Sequence, residues 1–241
     1  MWSCIDDVAL VVLPGQKDLF KRYLSCLSDY DRLQIPSHIT YVEQPEPLGF
    51  GDAVLKARNF VGKEPFVLLL GDHVHVANVG TDTCLAQVLN AFAAFGGKTM
   101  VGVHRVPASE LDKVGVVKGK PLSDGVFHCV DFIEKPDLKV ARKRLSTPGL
   151  PPDVFLGHCG IYAFTPRIFD CLLDEERYVA NHGGEVELAG AQARLLEKFP
   201  DTYYLMEISG RAYDTGVPTG YFHAMLAVHE LQTAEKEVTG L

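Results

Sequence analysis

Asp72, Asp214 and the neighbours Glu134 and Lys135 are residues whose type and setting could do chemistry. Asp72 follows Phe66 to Leu70 and Gly71 in PFVLLLGDHVHV, Pro65 to Val76. An apolar run that short, flanked by Pro and Gly, predicts a strand buried on both faces. Asp72 then stands at its carboxyl end. Asp214 lies in Ala212-Tyr213-Asp214-Thr215-Gly216, just before a predicted helix. In open α/β sheets ligands gather beyond the carboxyl ends of the strands. Two carboxylates meeting there suit Mg²⁺, which is held by one or two carboxylates plus substrate phosphates. Each Asp could equally cap a turn or a helix. Glu134 and Lys135 end another predicted strand and, as neighbours on extended chain, face opposite ways. Lys135 could hold a phosphate and Glu134 could accept hydrogen bonds from sugar hydroxyls, against the plain alternative of solvated surface charge.

The stretch Tyr41 to Val54, YVEQPEPLGFGDAV, offers different chemistry. Its prolines stiffen the loop and its glycines let a flat ligand approach the backbone. Gln44 supplies both a donor and an acceptor, the pattern needed to read the edge of a uracil or thymine ring. The bland alternative is a strand-to-helix connector. His73 and His75 point the same way on an extended chain and could bind a metal, but are read as ordinary histidines. Other signatures fail. Gly97-Lys98-Thr99 is not a P-loop, because position 92 is Phe where Gly is needed. No Gly-x-Gly-x-x-Gly follows a predicted strand, and no Gly-x-Ser-x-Gly occurs.

The elements that must position these residues alternate. Strands are expected at Ile5 to Leu13, Ile39 to Val42, Phe66 to Leu70 and Thr99 to Val103. Helices are expected at Lys17 to Leu27, Phe50 to Val61 and Cys84 to Phe95. This rhythm indicates βαβ units and a mostly parallel sheet. After His104 it changes. Val114 to Lys118 and Val126 to Ile133 read as strands around the turn Ser123-Asp124-Gly125, part of an inserted β-region around residues 105–133. Pro136 to Leu145 is a short basic helix or loop. Val154 to Phe164 and Tyr203 to Ile208 read as strands, Leu188 to Phe199 and Thr219 to Ala234 as helices. The sheet is expected to be parallel in its first half and mixed in its second.

The 241 residues, 47% hydrophobic and 22% charged, suit one sizeable globular domain, or one domain plus a small appendage. The net charge of −8 argues against nucleic acid and anionic membrane surfaces as partners. No stretch is long and apolar enough to span a bilayer, and Met1 is not followed by a basic region and then an apolar one. The expectation is a soluble, cytoplasmic protein. Cys4, Cys26, Cys84, Cys129, Cys159 and Cys171 are scattered without a CxxC pair and are expected to be reduced.

Taken in order, these segments resemble the sugar-1-phosphate nucleotidyltransferases, and most of all the bacterial-type UTP–glucose-1-phosphate uridylyltransferases. The resemblance rests on Gln44 with Leu48 to Val54, Pro65 to Val74, Val114 to Val117 and Val130 to Pro136. It continues through Gly160-Ile161-Tyr162, Gly184 to Leu188, Tyr213 to Gly216 and Gly220-Tyr221. It implies a Rossmann-like nucleotide-diphospho-sugar transferase fold, a mixed, mostly parallel sheet flanked by helices. It implies one domain, with a nucleotide-binding half (1–104) and a sugar-phosphate-binding half (105–241). The implied reaction joins UTP or dTTP to a sugar 1-phosphate, giving a nucleotide sugar and pyrophosphate. Gln44 and Gly49 would read the pyrimidine, and Asp72 and Asp214 would hold Mg²⁺ against the phosphates. Gly115, Glu134 and Gly160 would line the sugar pocket, and Lys135 would bind the sugar phosphate.

The chain departs from the pattern in three ways. The family opens with a strand and a glycine-rich loop carrying Arg and Lys, yet no Gly-x-Gly-Thr-Arg segment occurs here. The chain is therefore expected to be N-terminally truncated relative to the family and impaired in transfer when alone. The alternatives are a fragment, a short relative that binds nucleotide sugars without transferring, or a chain completed by another. Open strand edges would then favour oligomerisation. His73 follows Asp72 where uridylyltransferases often have a second Asp, and Asp52 stands where His or Gln is commoner.

Overall fold

The computed structural model describes residues 5–32 and 35–239. The first elements are β1 (Asp7–Val12), α1 (Lys17–Ser25), α2 (Asp29–Arg32), β2 (His38–Glu43), α3 (Phe50–Lys56) and α4 (Arg58–Val61). Next come β3 (Phe66–Leu69), β4 (His73–Ala77), α5 (Cys84–Ala94), β5 (Thr99–Pro107), β6 (Gly115–Ser123), β7 (Val126–Glu134) and α6 (Leu138–Arg144). The last are β8 (Val154–Phe164), α7 (Arg167–His182), α8 (Leu188–Lys198), β9 (Tyr203–Glu207), β10 (Gly210–Asp214) and α9 (Pro218–Thr239). They fall into two compact units, one running to Glu64 and including Pro166–Gln192, the other made of Pro65–Thr165 and the chain from Ala193 on.

In the first unit β1 and β2 pair in parallel, from Asp7 opposite His38 to Val12 opposite Glu43. A parallel pair needs a crossover, which α1 and α2 supply. α3 packs against α7. Ile168, Cys171, Leu172 and Glu175 are the buried stripe of α7, at the spacing that puts residues on one helical face. The helix expected over Phe50 to Val61 is broken. The Ala57 N–H bonds back three residues to the Val54 carbonyl, at 3.1 Å, and this tighter turn closes α3 before α4 begins.

In the second unit the main sheet has the order β3-β8-β5-β9-β7-β6. β6 also pairs with β8, Val116 opposite Gly157 and Val117 opposite Leu156, so five strands close on themselves and β3 extends from the far half of β8. β8 is buried along almost its whole length, which is why its sequence is a continuous apolar run. Cys84, Val88, Met100, Cys159, Ile161 and Ile208 form one core cluster between α5 and the sheet. Val106, Leu111, Val116, Ala141, Leu145 and Phe155 form another beneath α6. The two arginines of α6 are fastened rather than free. Arg142 forks onto Asp153 with two bonds of 2.7 Å, and Arg144 onto Asp131 at 2.9 and 2.8 Å. Asp137 caps the helix by accepting the Val140 N–H at 2.9 Å.

The mixed α/β class holds, but the sheet is less parallel than expected. Among the described residues only β1–β2 and β5–β9 are parallel; the other pairings are antiparallel. A strand–helix rhythm shows that crossovers exist, whereas the choice of neighbour across the sheet is tertiary. The region 105–133 is likewise no separate insertion, since β6 and β7 are strands of the main sheet. Cys26, Cys84, Cys129, Cys159 and Cys171 are free thiols, and Cys4 lies outside the described residues. Burial pushes the Cys129 and Cys159 thiols up to about 12, so both stay protonated. No described helix is long and apolar enough to cross a membrane.

Two histidines are folded in as neutral groups. His158, on β8, stacks on Phe132 with ring centroids 4.9 Å apart and meets the edge of Tyr162 at 5.6 Å. Its Nε2 and that of His104, on β5, are both sealed from solvent without a hydrogen-bond partner. Burial, helped by the charge of His104, lowers His158 to about 3. Burial first, then Arg211, His73 and His75, lowers His104 to about 4. The unfolded chain takes up these protons near pH 6.5 and the folded chain does not. Stability from this source is complete above pH 6.5 and is lost as the pH falls toward 4, by at most about 1.4 kcal/mol per pH unit for each histidine. The midpoint of urea unfolding is expected to drop between pH 7 and pH 5.5, and to drop less in His158→Phe. An equal drop in that variant would show that His158 does not carry the effect.

Candidate active site

The second unit brings Asp72 and Asp214 together. Asp72 sits in the turn after β3 and immediately precedes β4. In the antiparallel β4–β10 ladder His73 is opposite Asp214, so the two carboxylates emerge at the same end of the ribbon. Thr215 fixes that end, donating its N–H and its hydroxyl to the Asp72 carbonyl at 2.7 and 2.8 Å. The Gly216 N–H donates to Asp214 Oδ1 at 2.8 Å. A methyl group on Gly216 would lie 3.0 Å from Asp214 Oδ1 and 3.4 Å from Asp72 Oδ2, so both carboxylates border one small space. Both residues are exposed. Among the described residues no group of three or more His, Cys, Asp and Glu side chains is arranged to hold a metal. Two hard carboxylate oxygens with an open side instead fit a cation that completes its shell with phosphate and water.

Gly160 belongs to the same neighbourhood. It has φ +82°, which favours glycine, and a side chain there would run into the His73 ring. At this point β8 changes its partner from β6 to β3. The Cys159 carbonyl accepts from His75 Nε2 at 2.7 Å and contacts His73 Nδ1 at 3.4 Å. His73 and His75 thus tie β4 to β8, and the carbonyl makes His75 the Nε2–H tautomer.

Gly115 and Glu134 face each other across the β6–β7 ladder. A methyl group on Gly115 would lie 2.7 Å from Glu134 Oε2, 2.7 Å from the Phe132 ring and 3.1 Å from His158 Nδ1. Lys135 follows, exposed, with φ +44°. A residue other than glycine held in that region stores backbone strain of about 1–3 kcal/mol, a recurrent mark of functional positions. The Lys135 N–H donates to the Val114 carbonyl at 3.3 Å and keeps the turn closed.

The first unit places Gln44 and Gly49 side by side. Gln44 is buried, and its Nε2 donates to the Gly49 carbonyl at 3.1 Å and to Asp52 Oδ2 at 2.9 Å. The loop is stapled to the segment before α8. Val186 donates its N–H to the Leu48 carbonyl at 2.8 Å and accepts the Gly51 N–H at 2.8 Å. Gly49 has φ +118°, and a methyl group there would come within 2.5 Å of the Val186 carbonyl oxygen, so the position admits glycine alone.

Each residue singled out in the sequence therefore has a defined place: Gln44 with Gly49, Asp72 with Asp214 and Gly160, Gly115 with Glu134 and Lys135. Sequence reasoning passed over His158 at Gly115, where one more His in an apolar strand carried no signal. It also left Asp52 unexplained, although a carboxylate on the apolar side of a helix start marks a buried charge.

The nucleotidyl transferase family model matches residues 1–230. UTP–glucose-1-phosphate uridylyltransferase 1 of Staphylococcus saprophyticus is 32% identical over 186 residues, which are 77% of this chain and 58% of that protein. UTP–glucose-1-phosphate uridylyltransferase of Bacillus subtilis is 32% identical over 203 residues, 83% of this chain and 61% of that protein. The chain thus spans about three fifths of these relatives' length. Among solved structures, a UDP-glucose pyrophosphorylase complexed with UDP-glucose superposes with a TM-score of 0.74 at 22% identity, over 93% of this chain and 81% of that one. A UTP-bound enzyme of that type from Acinetobacter baumannii gives 0.69 at 21% identity, over 98% and 83%. The mixed α/β architecture is that of the UDP-glucose pyrophosphorylases, and the chain belongs to the nucleotidyl transferase family.

Proposed function

We propose that the protein makes a nucleotide sugar, UDP-glucose or a close analogue, from UTP or dTTP and a sugar 1-phosphate, with release of pyrophosphate. The observation that carries this reading is the convergence of Asp72 and Asp214 at one end of the β4–β10 ribbon, in a chain of this family. The uridylyltransferase relatives support UTP and glucose 1-phosphate as the substrates.

In this reading Gln44 and Gly49 contact the pyrimidine. Gly115, Glu134 and Gly160 line the sugar pocket, and Lys135 neutralises the sugar phosphate. A phosphate oxygen of the sugar 1-phosphate attacks the α-phosphorus in line; the new O–P bond forms as the bond to pyrophosphate breaks. Asp72 and Asp214 would hold Mg²⁺, which neutralises phosphate charge when bound. No protein nucleophile is needed, because positioning and charge neutralisation carry such transfers. Glu134 accepts hydrogen bonds from sugar hydroxyls, while the glycines leave the backbone open to the ring.

Purified protein with UTP, Mg²⁺ and glucose 1-phosphate is expected to release pyrophosphate. Asp72→Ala and Asp214→Ala are each expected to lower the rate by about 100-fold or more, the scale of losing a main electrostatic group. Wild-type rates in both variants would refute the metal assignment. Calorimetric binding of UDP-glucose without any pyrophosphate release would replace the enzyme by a nucleotide-sugar-binding protein.

A further inference from the structure

We infer that Asp52 sets the base specificity of this loop by locking the Gln44 amide in one orientation, so that Gln44 presents only an acceptor and cytosine is rejected. The inference rests on the reading of Gln44 and Gly49 as the pyrimidine contacts.

A glutamine amide is nearly symmetric in shape, and its two orientations differ only in where the donor and the acceptor lie. Here the surroundings decide. Gln44 Nε2 lies 2.9 Å from Asp52 Oδ2 and 3.1 Å from the Gly49 carbonyl oxygen. A carboxylate and a carbonyl can only accept. Turning the amide over would set Oε1 against two oxygens with no proton between them, inside a buried site. Both Nε2 hydrogens are therefore spent within the protein. Oε1 has no hydrogen-bond partner among the described residues and is not sealed from solvent. The Gly49 N–H likewise has no acceptor among them.

The loop thus offers one acceptor and one donor, with the side-chain donor removed. With the Gly49 N–H donating to O2, an atom that uracil, thymine and cytosine share, Gln44 Oε1 meets the N3–H of uracil or thymine. Cytosine presents an unprotonated N3, an acceptor that would face Gln44 Oε1. The lock needs Asp52 to stay charged although it is only 1% exposed. Lys56, one helical turn on, meets that need as an ion pair, its ammonium 2.9 Å from Oδ1, an oxygen that accepts no hydrogen bond. Asp52 is therefore a positioning residue that acts on the base through Gln44. It does not separate uracil from thymine.

Calorimetric titration of the full chain with UDP and with CDP tests this, since the two ligands differ only at the base edge. UDP is expected to bind at least about tenfold more tightly, the scale of leaving one buried polar pair unmatched. Asp52→Asn keeps the shape but can both donate and accept, leaving the Gly49 carbonyl as the one contact that still opposes a turned Gln44 amide. Its UDP-to-CDP ratio is expected to fall to within about threefold. A purely structural role would weaken both ligands alike and leave the ratio unchanged. That outcome overturns the lock while leaving the pyrimidine reading intact. Binding of neither ligand to the wild type overturns both. Should the variant not fold, slow solvent exchange of the Gln44 side-chain amide protons in the wild type supports the lock, and exchange as fast as that of a surface glutamine overturns it.

Discussion

The register of β4 against β10 is the constraint on which the carboxylate pair depends. Asp72 and Asp214 share a space only because His73 is opposite Asp214; a slip of one residue would turn the strand's side chains to the other face. The ribbon is pinned at both ends. At one, Thr215 holds the Asp72 carbonyl. At the other, Asn78 donates its N–H to the Ser209 carbonyl at 3.0 Å and its side-chain amide to Ser209 Oγ at 3.0 Å. Gln87 of α5 adds a bond from each direction, accepting the Ser209 N–H at 2.6 Å and donating to the Ser209 carbonyl at 3.2 Å. These are polar bonds at fixed positions, so they specify one register where apolar packing alone would tolerate several.

β8 gives the ribbon its bearing on the main sheet. Around Gly160 the pairing with β5 shifts register between Val101 and Val103, and such a bulge bends a strand and frees it from its ladder. The Cys159 carbonyl is then available to the histidines of β4. One glycine therefore permits two things: the change of partner from β6 to β3 and the approach of His73. The bulge is a positioning device, and the apolar strand around it supplies the rigidity that makes a displaced carbonyl useful.

Much of this fold could be read from the sequence, and the gaps have physical causes. β1, β3, α5, β8 and the β6–β7 hairpin carry their signals locally, in apolar runs or in the Ser123-Asp124-Gly125 turn. β4 was legible only as a continuation of β3, because His73-Val74-His75-Val76 alternates without a marked break; the His73 N–H bonding back to the Leu70 carbonyl makes the turn. β10, Gly210–Asp214, has almost no strand-forming residues and exists through its partner β4. α7 concentrates its apolar residues in Ile168–Leu173 and its charges in Asp174–Arg177, which blurs the helical stripe. Site residues were legible as chemical types, since Asp, Gln, Lys and Gly each announce what they can bond. Which of them meet was not, because Asp72 with Asp214 and Gly115 with Glu134 are juxtaposed by cross-strand register, and register is set by the whole sheet.

Asp52 shows the same division between type and place at a single residue. In the sequence it is only an acid where the family more often has His or Gln. In the fold it is a buried carboxylate, and an apolar residue could fill that space without the desolvation cost of an ion pair, often with no loss of stability. An apolar residue would, however, leave the Gln44 amide with one fixed acceptor, the Gly49 carbonyl, and a second contact indifferent to its orientation. A neutral donor-acceptor such as Asn would satisfy either orientation. Only a group that accepts and never donates settles the question on both hydrogens, and within reach of a lysine ammonium it can remain charged while doing so. The stability given up by burying that charge is exchanged for a single chemical identity at the face that Gln44 presents.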